Sequence, residues 1–154
     1  MTDAQPIDIA IAGGGLAGGL LALALRARRP GLRIVLIEGT ERAGGNHLWS
    51  CFENDVALGD RWLIEPLVAY GWGGHDVRFP GFERSLPAGY ASLSSERLDA
   101  ALRAALPPGD LMLGTPVSAL SPTAITLADG RMLAAGGVID ARGPGDMSAL
   151  VLGW

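Results

Sequence analysis

The sequence predicts an α/β fold whose parallel sheet is built on a βαβ unit at the start of the chain. Ile7–Ala12 is a short apolar run that ends at glycines, which is typical of a buried strand. Leu16–Arg29 is rich in Ala and Leu and is followed by Pro30-Gly31, a helix stop signal. Arg33–Ile37 is a second apolar run. A strand, a helix and a strand within about thirty residues form the unit from which parallel sheets are assembled.

The composition limits the classes of protein that the chain can represent. A length of 154 residues indicates one domain, or one domain with an insertion, and a hydrophobic content of 49% indicates a packed globular core. The net charge is −4, all twelve basic residues are Arg and no basic run occurs, so we expect no nucleic-acid partner. The single cysteine, Cys51, cannot form an internal disulfide and fits a reducing compartment.

The uncharged stretch Ile9–Leu25 could be mistaken for a membrane helix. It is shorter than the roughly 20 apolar residues that a span requires, and three glycines, Gly13–Gly15, interrupt it. The preceding residues, Met1–Asp8, hold two acids and no Lys or Arg, which is atypical of a signal peptide. We therefore expect a cytoplasmic protein with neither a signal peptide nor a spanning helix. Peripheral contact with the inner membrane stays open.

The elements after the βαβ unit are less regular. Residues 39–93 are rich in glycine, proline and aromatic residues, and Arg61–Tyr70 is predicted as one short helix. Ser94–Leu106 is predicted as a helix, since it has Ser at its start, an apolar stripe and Pro-Pro-Gly at its end. The dipeptide Asp129-Gly130 predicts a β-hairpin. The short strands predicted in this part are Leu111–Leu113, Val117–Leu120, Ala124–Leu127, Met132-Leu133 and Val138–Asp140.

We divide the chain into four segments on this basis. Residues 1–50 are the Rossmann-like βαβ segment, and residues 51–93 are an insertion that begins a mixed β substrate domain. Residues 94–145 return to the nucleotide-binding domain with its hairpin, and residues 146–154 begin a further part of the substrate domain. The chain shows no internal repeat and no low-complexity tract.

Gly13-Gly14-Gly15-Leu16-Ala17-Gly18 matches the pattern G-x-G-x-x-G between the first strand and the first helix. In that position Gly13 permits the tight turn, Gly15 lets backbone approach a pyrophosphate, and Gly18 lets the helix pack close to the strand. The backbone N–H groups of Leu16 and Ala17, at the positive end of the helix, then face the phosphates. The alternative is a glycine-rich turn that binds no ligand.

Glu38 lies twenty residues after Gly18, at the end of the second predicted strand. A carboxylate there accepts hydrogen bonds from the hydroxyl groups of an adenosine ribose and repels a 2′-phosphate. The next residues, Gly39 and Thr40, offer no Arg to neutralise such a phosphate, so NADP is disfavoured at this site. The alternative is a solvated acid at a strand end.

The choice between FAD and NAD depends on the following residues. Glu38–Gly45 resembles the E-x-x-x-R-x-G-G run of flavoproteins with two dinucleotide-binding domains, whereas simple NAD domains usually continue with another helix and strand. The resemblance implies FAD, with Arg42 balancing charge and Gly45 allowing a second backbone approach. His47 follows this run and lies either near the flavin or in a hydrogen-bonded loop. His75, beside glycine and Asp76, is predicted to lie in a surface loop.

Three further segments resemble the bacterial lycopene β-cyclase family. Residues 44–50 (G-G-N-H-L-W-S) are similar to its G-G-N-H-T-W-S, residues 90–98 to its Y-x-S-I-x-S-x-R-F, and residues 138–143 to its V-I-D-x-R-G. Leu48, Cys51-Phe52 and Leu98 depart from these patterns. Family members are longer, and their acidic F-L-E-E-T-type segment is not found in the sequence. We therefore expect the amino-terminal part of a cyclase, or a truncated gene product.

The resemblance implies an isomerisation. The terminal group of lycopene is protonated, closes on itself and loses a proton to give a β-ionone ring, with no net redox change. FAD reduced by NAD(P)H would stabilise the cation, because a fixed negative charge acts strongly in a dry pocket. The aromatic residues of the middle region either line that apolar pocket or pack in the core. These residues are Trp49, Trp62, Tyr70, Trp72 and Tyr90.

Two other functions stay open from the sequence. A redox flavoenzyme, such as a monooxygenase or a prenyl reductase, shares the glycine loop but changes the oxidation state of its substrate. A non-catalytic FAD-binding fragment is favoured by the missing acidic segment, and no catalytic acid can be named. No cluster of His, Cys and Asp has metal-ligand spacing, so we expect no metal site.

Overall fold

The computed structural model describes residues 5–143, which form eleven strands and three α-helices. The strands are β1 (Ile7–Ala12), β2 (Ile34–Ile37), β3 (Leu48–Phe52), β4 (Val68–Trp72), β5 (His75–Phe79), β6 (Phe82–Leu86), β7 (Tyr90–Ser94), β8 (Leu111–Met112), β9 (Val117–Ser121), β10 (Ala124–Leu127) and β11 (Met132–Asp140). The helices are α1 (Leu16–Arg28), α2 (Arg61–Ile64) and α3 (Ser95–Ala105).

The main sheet has six strands in the order β8-β2-β1-β11-β10-β9. Strands β8, β2, β1 and β11 are parallel, and β10 and β9 extend the sheet antiparallel. Both faces of β1 and β2 are buried: Ile11 and Leu36 pack in the same core cluster as residues of α1 and α3, while Ala10 and Val35 pack with Ile125 on the other side. Apolar runs without alternation arise because both faces of a central parallel strand are covered. The predicted Rossmann-like α/β fold is confirmed.

Strand β11 is one nine-residue strand, whereas the sequence predicted two short ones. The residues between the two predicted pieces, Ala134–Gly137, are small and have low strand propensity, so they give no local signal. Pairing decides the outcome: Met132 to Ala134 pair antiparallel with β10, and Ala135 to Asp140 pair parallel with β1. The hairpin predicted at Asp129-Gly130 is confirmed.

The predicted helix over Arg61–Tyr70 is wrong beyond its first turn. Helix α2 ends at Ile64, a 3-10 turn follows over Glu65–Leu67, and Val68 begins strand β4. Pro66 lies at the start of that turn and has no backbone N–H to continue an α-helix. The segment after it pairs with β7 instead.

The middle region forms a small antiparallel sheet with the order β3-β7-β4, and the two-stranded hairpin β5-β6 lies between β4 and β7 in the chain. Its inner face, which includes Trp49, Cys51 and Leu93, packs on the same core cluster as α3. Helix α3 confirms the predicted helix, and the side chain of Ser94 caps it by accepting a hydrogen bond from Arg97 N. His75 is the first residue of β5 and is half-buried, so its predicted place in a surface loop is wrong.

Two features are absent from residues 5–143. None of the helices there is both long and apolar enough to cross a membrane. The same residues contain no group of three His, Cys, Asp or Glu side chains arranged to hold a metal ion.

We expect Cys51 to react slowly with iodoacetamide at neutral pH. Burial raises the pKa of the Cys51 thiol, and the nearby negative charge of Asp55 raises this pKa further. Because the thiolate is the nucleophile, a raised pKa lowers its fraction at a given pH. The measurement is the alkylation rate against pH, with the unfolded chain as reference. Asp55→Asn removes the charge and should speed alkylation; an unchanged rate would contradict the assignment to Asp55.

Candidate cofactor site

A cleft of about 660 Å³ lies where β1, β2 and β11 end and α1 begins. In open parallel sheets this edge is where ligands bind. Its walls contain seven of the nine residues predicted to contact a cofactor: Gly13, Gly15, Leu16, Ala17, Glu38, Gly45 and His47. The structure thus gathers two sequence motifs, the glycine loop and the second glycine pair, around one cleft. That these residues bind a cofactor stays a prediction.

The three glycines of the loop have different surroundings. Gly13 has φ +105°, and a Cβ there would lie 2.7 Å from backbone atoms of Ala141 and Arg142. A Cβ at Gly18 would lie 2.0 Å from the carbonyl oxygen of Gly13, so Gly18 permits the close approach of α1 to the loop. A Cβ at Gly15 would meet nothing within 4 Å, because that position faces the open cleft. The roles predicted for Gly13 and Gly18 agree with these contacts.

The N-terminal end of α1 faces the cleft, and within residues 5–143 no side chain caps it. Gly15 is the N-cap residue, it provides no side-chain hydrogen bond, and the first turn contains no acidic residue. Leu16 and Ala17, the first two helical residues, lie on the cleft wall. The unpaired N–H groups of a helix N-terminus attract anions, and this end is open to one.

The side chain of Glu38 binds both the glycine loop and Thr40. Its Oε2 accepts a hydrogen bond from Gly14 N at 2.8 Å, and its Oε1 accepts bonds from Thr40 N at 2.9 Å and Thr40 Oγ1 at 3.0 Å. A carboxylate has about four acceptor positions, so a further donor, such as a ribose hydroxyl, can still be bound. Glu38 is therefore oriented by the loop that it faces.

The second glycine pair is attached to the first loop by backbone. Gly44 N donates to the carbonyl oxygen of Gly14 at 2.8 Å, and Gly44 and Gly45 have φ values of +76° and +59°. Ser95, which is buried, contacts this segment: its N–H donates to the carbonyl oxygen of His47 at 3.1 Å, and its hydroxyl accepts from His47 N at 3.3 Å. The start of α3 thereby fixes the far wall of the cleft.

Asp99 on α3 also binds the segment that contains the second glycine pair. The sequence analysis did not identify this residue. Its Oδ1 accepts a hydrogen bond from Ala43 N at 2.9 Å, and its Oδ2 pairs with Arg103 at 2.7 Å. Burial acts to raise the pKa of Asp99, but the hydrogen bonds from Arg103 and from Ala43 N outweigh it and leave the pKa below its usual value. The contact joins residues 56 apart in the sequence, so no local pattern indicates it.

Arg42 and Gly18 are the two predicted residues that do not line the cleft. Gly18 packs against the loop, as described above. Arg42 is exposed, and its charge acts on the carboxylates of Glu96 and Asp99 on α3. The positive charge of Arg42 therefore interacts with α3, the helix that supports the second glycine pair.

The cleft wall also contains residues that the sequence did not predict as cofactor contacts, among them Thr40, Pro116, Val117 and Arg142. Arg142 pairs with Asp140, with Nε to Oδ1 and Nη2 to Oδ2 distances of 2.8 Å each. The hydrogen bonds from Arg142 lower the pKa of Asp140 to about 2, although burial acts to raise it. The sequence analysis identified the segment 138–143 by its resemblance to a family motif. In the structure, the ion pair between Asp140 and Arg142 fixes the turn beside Gly13.

Glu38→Gln is expected to weaken both the fold and cofactor retention. An amide offers one acceptor atom where the carboxylate offers two, so its NH₂ group must face either Gly14 N or Thr40 N, which are donors. We expect a loss of about 1–2 kcal/mol in the free energy of unfolding, measured by urea denaturation. Glu65→Gln, at an exposed position, is the matched control and should have almost no effect. Equal stability of the two variants would contradict the role of Glu38.

The parallel sheet, the glycine turn at a helix N-terminus and the acid after the next strand place the protein in the Rossmann-like α/β class. Residues 8–153 match the family described as lycopene cyclase protein. The chain belongs to the lycopene cyclase family.

Two relatives and one solved structure illustrate the similarity. The chain is 45% identical over 147 residues to a lycopene beta-cyclase of Pseudescherichia vulneris and 37% identical over 147 residues to one of Pantoea ananas. Each alignment covers 96% of this chain and 38% of the relative, so the chain spans well under half of the relatives' length. A crystal structure of 2-methyl-3-hydroxypyridine-5-carboxylic acid oxygenase has a TM-score of 0.67 at 21% identity, covering 90% of this chain and 40% of the oxygenase. That likeness supports the fold.

Proposed function

We propose that the chain forms the FAD-binding part of a lycopene β-cyclase, which closes the ends of lycopene to β-ionone rings with FAD and NAD(P)H and without net redox change. One observation carries the proposal. Glu38 accepts a hydrogen bond of 2.8 Å from Gly14 N of the glycine loop, and the neighbouring position Gly15 faces an open cleft. Membership of the lycopene cyclase family supports the substrate.

The cleft fits a dinucleotide in shape and charge. Gly15 leaves space where any side chain would project, and the uncapped end of α1 offers N–H donors to a pyrophosphate. Glu38 would bind the ribose, and Pro116 and Val117 line the same cleft. A carboxylate fixed at this place repels a 2′-phosphate, which favours FAD over NADP here.

When bound and reduced, FAD would supply a negative charge that stabilises the cationic form of the substrate. The residues of this chain would position the cofactor: Gly13 and Gly18 shape the loop, and Ser95 and Asp99 hold the second glycine pair. None of the cleft residues is assigned as the acid that protonates lycopene. We propose a cytoplasmic location. Because the substrate is lipophilic, we also propose peripheral contact with the inner membrane.

Expression of this chain in cells that accumulate lycopene tests the proposal. Conversion of lycopene to β-carotene, detected by chromatography, is expected of a working cyclase, and Gly15→Val should abolish it. Oxygenated or reduced products would identify a redox flavoenzyme instead. Unchanged lycopene together with a flavin-loaded purified chain would identify a non-catalytic FAD-binding fragment, and a chain that retains no flavin would overturn the cofactor assignment.

A further inference from the structure

Arg142 brings a positive charge to the wall of the cofactor cleft. Of the described residues that line the cleft, it is the one Lys or Arg, and Glu38 is the one Asp or Glu. Bound FAD would bring a diphosphate dianion into the same cleft as the Glu38 carboxylate, which repels it. The N-terminal end of α1 is equivalent to about half a positive charge. A further cation is therefore needed to balance the diphosphate.

The fold places Arg142 next to the glycine loop. Strands β1 and β11 are parallel neighbours, with Ala12 paired to Asp140, so the chain leaves both strands at the same edge of the sheet. Ala141 N donates to the carbonyl oxygen of Ala12 at 2.8 Å, and a Cβ at Gly13 would lie 2.7 Å from Arg142 N. The backbone of Arg142 thus lies beside the loop that would hold the diphosphate.

Asp140 orients the guanidinium group of Arg142. Its carboxylate accepts hydrogen bonds from Arg142 N at 3.1 Å and from Nε and Nη2 of the same side chain at 2.8 Å each. Two of the five guanidinium N–H groups are used in this way. Within residues 5–143 the other three donate to no protein acceptor, and the side chain is 43% exposed. One edge of the guanidinium is therefore held, and the other can donate to a phosphate.

The same local arrangement occurs outside the cleft at Asp129 and Arg131. Arg131 N donates to Asp129 at 3.0 Å and Arg131 Nε donates at 2.7 Å, as in the pair of Asp140 and Arg142. Asp129 and Arg131 lie on the turn between β10 and β11, and neither lines the cleft. An Asp-x-Arg turn is thus a local support in itself. What distinguishes Arg142 is its position in the cleft wall.

We propose that Arg142 binds the diphosphate of the dinucleotide and that Asp140 is its positioning residue. This inference rests on the proposed function. It assigns to Arg142 the charge balance that the sequence predicted for Arg42, which is exposed and lies outside the cleft. Hydrogen bonds from a guanidinium to phosphate oxygens are charge-assisted and are among the strong ones. The cation therefore favours ligands that contain a diphosphate over the nucleoside alone.

Ligand affinities of the chain, freed of flavin by dialysis, test the inference. FAD binding is followed by the quenching of flavin fluorescence, and ADP and adenosine are measured as competitors of FAD. For Arg142→Gln we expect the affinities for FAD and ADP to fall about tenfold and that for adenosine to stay within about twofold. Arg131→Gln is the matched control, because it removes the same type of ion pair outside the cleft. It should leave all three affinities within about twofold.

Salt dependence gives a second readout that a purely structural role would not change. The affinity of the parent chain for ADP should fall as salt is added, because ions screen a partly exposed charge. Arg142→Gln should show a weaker dependence, and Arg142→Lys, which keeps the charge but not the fork, should recover part of the affinity. Asp140→Asn should lower the affinity for ADP and keep the salt dependence. A higher affinity in Asp140→Asn would contradict its positioning role.

The outcomes distinguish this inference from the proposed function. Circular dichroism first checks that each variant is folded. Unchanged FAD and ADP affinities in Arg142→Gln would overturn the inference while the proposed function stands. An equal loss of adenosine affinity would also overturn it, because Arg142 would then only support the turn. A parent chain that binds no FAD would overturn the proposed function and the inference with it. A loss confined to FAD and ADP supports both.

Discussion

Gly15→Val is expected to abolish flavin retention while leaving the free energy of unfolding nearly unchanged. The backbone at Gly15 has φ −67° and ψ −173°, which any L-residue adopts, and a Cβ there meets no protein atom within 4 Å. The added side chain therefore projects into the open cleft at the end of α1, where a pyrophosphate would lie. The measurements are the flavin absorbance of the purified protein and its urea denaturation midpoint.

Gly31→Val is the matched control, because Gly31 is exposed and a Cβ there also meets nothing within 4 Å. Both variants should keep their stability to within about 1 kcal/mol. Only the variant at Gly15 should purify without flavin. A yellow Gly15→Val protein with the parent flavin spectrum would show that the cofactor does not occupy this part of the cleft.

Gly18→Ala is expected to have the largest effect on stability of any single methyl addition in the loop. Its Cβ would lie 2.0 Å from the carbonyl oxygen of Gly13, and the peptide group of that carbonyl is held because its N–H, Gly14 N, donates to Glu38 Oε2 at 2.8 Å. Helix α1 must therefore move away from the sheet. We expect a loss of about 3 kcal/mol, or a fall of about 10 °C in the melting temperature of a domain of this size.

Gly19→Ala provides the comparison in the same helix. Its Cβ would meet the end of the Leu98 side chain at 2.8 Å, and a side chain can change rotamer where backbone cannot. The stronger helix propensity of Ala offsets part of the cost by about 1 kcal/mol. We therefore expect a smaller loss than at Gly18. A larger loss at Gly19, measured by thermal denaturation, would refute the close approach as the reason for Gly18.

The sequence predicted the elements whose cause is local. The glycine spacing identified the turn between β1 and α1, the apolar runs identified β1 and β2, and the position of Glu38 identified the acid at the cleft. Asp129-Gly130 predicted the hairpin because a tight turn requires few residues. Each of these signals lies within a few residues of the element that it specifies.

The sequence failed where long-range pairing decides the structure. The strands of the small sheet, β3, β7 and β4, were not predicted, since each is short and is stabilised by partners far along the chain. The middle of β11 is a strand because β1 and β10 pair with it, although Ala134–Gly137 have little strand propensity. Tertiary hydrogen bonding overrides weak local preference in both cases.

The amino-acid sequence by itself determined the class of fold, the family and the turn at which a dinucleotide is expected to bind. Only the tertiary structure decided that Asp99 and Ser95 support the second glycine pair, that Arg42 lies outside the cleft, and that Arg142 lines it. The physical reason is distance along the chain. A glycine loop is specified by the backbone geometry of six adjacent residues, whereas supports and surfaces arise from residues that meet only after the sheets have paired.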